Sequence, residues 1–125
     1  MTKLSNLELL ILCCAALVMG SGCSSLKTPA TADVAVSKAA VENAAGAGGV
    51  EFAPIEMRAA REKMALANKA MGAKDYKQAI DLAGQAQADA KLAQSKANSA
   101  KAQIAASALQ DDIRVLREEL ERASK

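Results

Sequence analysis

The chain has 125 residues, enough for one small domain, and its 16 basic and 14 acidic side chains leave a net charge of +2. Acidic and basic residues are interspersed, which excludes the concentrated basic footprint of a nucleic-acid binder. His and Trp are absent and Phe52 and Tyr76 are the only aromatic residues, so no enzyme, no cofactor and no metal site is expected.

The chain is organised around its first apolar run. Leu9 to Met19 is eleven apolar residues, preceded by Lys3 and bordered by Glu8. A bilayer-spanning helix needs about 20. The run therefore suits the apolar core of a secretory signal covering residues 1–22. Gly20, Ser21 and Gly22 lead directly into Cys23. Small residues before a cysteine resemble the cleavage box of bacterial lipoproteins, with one departure: Gly20 stands where that pattern prefers leucine. The resemblance implies cleavage before Cys23, a diacylglycerol on its thiol and a fatty acid such as palmitate on its new amine. The alternative is an ordinary signal peptide with an incidental cysteine. Each buried methylene contributes roughly 0.8 kcal/mol, so several acyl chains would hold the protein at a membrane. By the same resemblance, Ser24 favours the outer membrane, with the chain facing the periplasm. Cys13 and Cys14 lie inside the run and read as small apolar residues. Once residues 1–22 are removed and Cys23 is acylated, no thiol remains for a disulfide.

Residues 23–32 contain Pro29 among small polar residues and read as a flexible tether. Residues 33–100 read as an alanine-rich helical domain. Asp33 would cap a first helix, Val34 to about Ala45, with Val34, Val41 and Ala45 on one face; Gly46, Gly48 and Gly49 would end it. Pro54 starts the next helix. Met57, Ala60, Met64, Ala67 and Met71 follow alternating steps of three and four, one apolar stripe of a helix. With no His beside them, these methionines read as core and not as a copper site. Gly72 would break the helix, and Asp75 with Gln78 forms a capping-box-like start to another. Tyr76 would wedge the turn.

The last helix is the longest. Ala79, Ala83, Ala86, Ala90, Ala93, Ala97, Ala100 and Ile104 repeat at steps of four and three, the pattern of a coiled-coil-like seam. Leu109, Ile113, Leu116, Leu120 and Ala123 continue the spacing after a one-residue slip, which predicts overwinding, a kink or a change of partner. Glu118 with Arg122 and Glu121 with Lys125 are spaced to support an exposed helix, and Asp111 and Asp112 read as a solvated face. The expected fold is all-α: a helical hairpin or small three-helix bundle with a long C-terminal coiled-coil-like helix, residues 101–125 forming the extension. A hairpin partner of 18 residues covers only the first third or so of a helix near 74 Å long. The overhang, from roughly Ser95, would expose the seam Leu109, Ile113, Leu116 and Leu120 for another copy or another envelope protein.

Glu51-Phe-Ala-Pro54, Met57-Arg-Ala-Ala-Arg-Glu-Lys63, Lys74-Asp-Tyr-Lys-Gln-Ala-Ile-Asp-Leu-Ala83 and Ala88-Asp-Ala-Lys-Leu-Ala93 occur in that order. Together, over about residues 33–100, they resemble the alanine-rich bacterial envelope lipoproteins grouped as domain of unknown function 4398. The resemblance implies a helical periplasmic domain, often lipid-anchored and sometimes joined to a peptidoglycan-binding module, which is not recognised in this sequence. It transfers no catalytic or ligand residue. The Asp-Tyr-x-x-Ala stretch also resembles a tetratricopeptide helix pair, but a single copy makes a hairpin and not a solenoid. Cys23-Ser24-Ser25, the heptad body and Lys125 are similar to the major murein lipoprotein, which implies peptidoglycan linkage through Lys125 as a second reading. The leading expectation is an outer-membrane lipoprotein with a structural or protein-interaction role.

Overall fold

The computed structural model describes residues 26–125. Cys13, Cys14 and Cys23, with the signal-like run, lie outside the described residues. Four helices follow in order: α1 (Lys27–Gly46), the single turn α2 (Gly49–Phe52), α3 (Pro54–Gly72) and α4 (Tyr76–Ala123). Among the described residues there is no strand, and the chain is all-α.

α1 begins earlier than Asp33. It takes in Lys27 to Ala32, which the sequence assigned to a tether. Pro29 falls in the first turn, where a missing N–H leaves no intrahelical bond unmade. The Thr31 hydroxyl donates to the Lys27 carbonyl at 2.8 Å, so its polar group is satisfied locally. Asp33 is therefore an exposed interior residue and not a cap. The buried line of α1 is Ala30, Ser37 and Ala44, with Val34, Val41 and Ala45 half-buried beside it. Small side chains hold the centre of the face and the valines flank it.

α1 ends at Gly46, and Gly48 turns the chain with φ 93°. A β-carbon on Gly49 would lie 2.7 Å from the Ala44 carbonyl oxygen and 2.9 Å from Met57 Sδ. That position admits only glycine without movement of the backbone. Ala53 is extended (φ −144°), as the residue before proline requires, and Pro54 opens α3.

α3 passes through Gly72 to its end one residue later than the stripe suggested. The reversal is made at Lys74, which takes φ 61°. Asp75 N–H donates to the Ala70 carbonyl and Lys74 N–H to the Met71 carbonyl, at 3.0 and 3.1 Å, the paired bonds of a Schellman motif. Gly72 is thus not the breaker; the strained residue is Lys74. Lys74→Gly is expected to raise stability by about 1 kcal/mol, because glycine enters the left-handed region without steric cost. Thermal unfolding beside a Lys74→Ala control, which should gain nothing, checks this. Asp75 then caps α4, its Oδ1 accepting from Gln78 N–H at 3.1 Å. Only half of the expected capping box forms, because Asp75 N–H is already given to Ala70.

The short connection sets α3 antiparallel to α4. Lys63 bonds Asp89 and Lys96 bonds Glu56, two pairs symmetric about residue 76. α1 also packs on α4. Ala44 joins Ala53, Met57, Ala60, Ala90 and Ala93 in one cluster, placing the end of α1 beside the middle of α4. Ala30 is fully covered, whereas every α4 residue from Lys101 onward is exposed. α1 must therefore run back toward the start of α4, parallel to it. The result is a three-helix bundle over the first half of α4, with the second half projecting beyond it.

The core is alanine. Ala79, Ala83, Ala86, Ala90, Ala93 and Ala97 are all fully buried, as their spacing predicted. Methyl side chains let helices approach toward the short end of the usual range of roughly 8–10 Å between axes. Among the described residues Met57 is the largest fully buried apolar side chain and Met64 is nearly so; the stripe is core through Ala67, but Ala70 takes the buried place expected for Met71, which is half-buried.

Candidate interaction surface

Ala100 is half-buried, and Ile104, the last member of the alanine series, is 58 % exposed. The bundle ends where the α1–α2 turn covers α4: a β-carbon at Gly48 would lie 3.1 Å from Lys101 Cε and Nζ. Cover thus extends slightly past Ser95, because α2 and its turn add a lid that the hairpin estimate omitted. α4 passes through the register slip as one uninterrupted helix. What changes at the slip is its surroundings.

From Lys101 the helix forms an arm of 23 residues to Ala123, about 34 Å long. Leu109, Ile113, Leu116 and Leu120 are 60, 40, 59 and 70 % exposed and fall in one row. Every residue predicted for the partner seam is therefore solvent-facing. Lys125 is exposed at the far end of the arm. Arg114 lies 3.4 Å from Asp111 and 3.8 Å from Glu118. Glu118 pairs backward along the helix with Arg114, where the sequence reading paired it with Arg122.

Two cross-helix ion pairs went unpredicted. Lys63 Nζ lies 2.6 Å from Asp89 Oδ2, both partly buried, and Lys96 meets Glu56. A turn centred on residue 76 would have located both, since antiparallel partners lie equidistant from it. The hydrogen bond from Lys96, first of all, holds the Glu56 carboxyl below its ordinary pKa. A lowered pKa gives stability that is present above the ordinary carboxylate value and lost as pH falls through the folded-state value. The stability difference between the native chain and Glu56→Gln is expected to shrink as pH drops below the ordinary carboxylate range. Denaturant melts at a series of pH values check it; a constant difference would contradict it.

Among the described residues no cluster of three acidic, His or Cys side chains converges as a metal site, and no helix is long and apolar enough to cross a membrane. The described residues thus define an alanine-cored helical bundle bearing an apolar, solvent-exposed arm. The family described as domain of unknown function (DUF4398) matches residues 32–109, and the chain belongs to that family. No curated protein and no solved structure matches it.

Proposed function

We propose that the chain is a lipoprotein held at the outer membrane through Cys23, facing the periplasm, with a structural or protein-interaction role in the cell envelope. The observation that carries the interaction role is the row of exposed Leu109, Ile113, Leu116 and Leu120 on an arm clear of the bundle. Four large apolar side chains in one stripe are costly in water and stabilising against a partner. The anchoring role is supported by the eleven-residue apolar run and the small residues that lead into Cys23. Bundle and arm then act by position: the lipid fixes one end and the arm presents the seam. Mass spectrometry of the mature N-terminus tests the anchor. The expected species starts at Cys23 and carries acyl chains; an unmodified Cys23 within a longer chain contradicts it.

A second reading is a peptidoglycan tether through Lys125. Its support is the exposed place of that amine at the far tip of the arm. Lysozyme digestion of purified sacculi should then release the native chain, and a Lys125 deletion should leave none to release. Sacculi free of the native protein would exclude covalent linkage.

A further inference from the structure

We propose that the arm pairs with the arm of a second copy, parallel and in register, as a two-stranded coiled coil from Ala102 to Ala123. This deepens the interaction reading above and does not depend on acylation of Cys23.

The seam carries the first argument. Its four–three spacing extends back from Leu109 through Ala106 to Ala102. In heptad terms Ala102, Leu109, Leu116 and Ala123 occupy d, and Ala106, Ile113 and Leu120 occupy a. Ile113 at a, between Leu109 and Leu116 at d, favours two strands over three or four in a parallel coil.

The charges beside the seam carry the second. Asp112 and Glu119 take g positions; Gln110 and Arg117 take e positions. In a parallel pair each g residue faces the following e residue of the other strand, so Asp112 meets Arg117 of the second copy, twice by symmetry. An antiparallel pair would set g against g and bring Asp112 and Glu119 of both strands together. The ion pairs within the arm, Arg114 with Asp111 and Glu118, lie on the outer b and f positions. Among the described residues Asp112, Arg117 and Glu119 enter no ion pair, so pairing would break none.

Placement is the third. At 100° per residue the seam points roughly 130° away from the buried line Ala79 to Ala97. Helices α1 and α3 cover that opposite side of α4. Two bundles would hang outward from a central pair of arms without collision. The pairing also has an end. Above Ala102 the seam positions carry Ser99 and Ser95, and Lys91 would face Lys96 of the second copy.

The test places one added cysteine in the full-length chain, Ala106→Cys or Leu120→Cys, expressed in a bacterial envelope. A short bis-maleimide then links adjacent thiols, with the unsubstituted chain setting the background from Cys13, Cys14 and Cys23. Each variant should link to itself above that background. Linkage only when the two variants are mixed would show antiparallel arms and overturn the proposal. So would absence of linkage where a monofunctional maleimide labels both thiols. Asp112→Arg should reduce self-linkage at position 120, and Asp112→Arg with Arg117→Asp should restore it. Linkage unchanged by Asp112→Arg would overturn the parallel register. Loss of linkage in a chain acylated at Cys23 removes the pairing alone, whereas linkage in an unacylated chain removes the anchor alone.

Discussion

Met57→Ala is expected to destabilise the bundle by about 2–5 kcal/mol. Met57 is 1 % exposed and lies where all three long helices meet, in a cluster with Ala44, Ala60, Ala90 and Ala93. The buried cluster around it is otherwise alanine, with Val41 packed against its edge, so little buried side chain is at hand to rotate into a void. The site therefore relaxes little, and the cost should fall toward the upper part of that range. Met57→Leu keeps the volume nearly constant and should cost less than about 1.5 kcal/mol. Urea unfolding followed by helical circular dichroism measures both. Equal losses for the two variants would mean that Met57 is not packed as described.

Ala90→Leu tests the opposite side of the same packing. Ala90 has no exposed surface and belongs to the alanine line against which α1 and α3 both press. A leucine there has no cavity to enter and must force helices apart. The expected loss is about 1–3 kcal/mol, or more if all three helices shift. The same substitution at Ala108, on the outer face of the exposed arm and outside the seam, should leave the bundle's unfolding midpoint unchanged. A bundle that absorbs Ala90→Leu without loss would show helices farther apart than an alanine seam implies.

The long helices were legible because their signals are periodic. Pro54, Asp75 and the alanine heptads bounded α3 and α4 to within a residue or two of what is observed. The exposed seam at Leu109 to Leu120 was also legible, from helix lengths alone: no other helix among the described residues reaches that far. What escaped was decided by smaller energies. The start of α1 turned on whether Pro29 ends a linker or sits in a first turn, and composition cannot separate those. Its buried face was misplaced because Ser37 reads as polar while alanine is everywhere, so the valines drew attention to the flank. The turn at Lys74 escaped because Gly72 is the obvious breaker; two backbone bonds back into α3 stabilise the left-handed lysine instead. Cross-helix ion pairs depend on register, which follows only after the turn is placed.

An arm without tertiary contacts is held helical only by propensity and local pairs such as Arg114 with Glu118, and such helices fray unless a partner covers their apolar face. Hydrogen exchange of the full-length chain across a dilution series therefore tests the central claim most directly. Amides of residues 79–97 should be protected equally at every concentration. Amides of residues 109–120 should gain protection as concentration rises and lose it on dilution. Protection along the arm that matches the bundle and ignores concentration, or an arm that exchanges freely even when concentrated, would contradict a bundle presenting a partner-seeking seam.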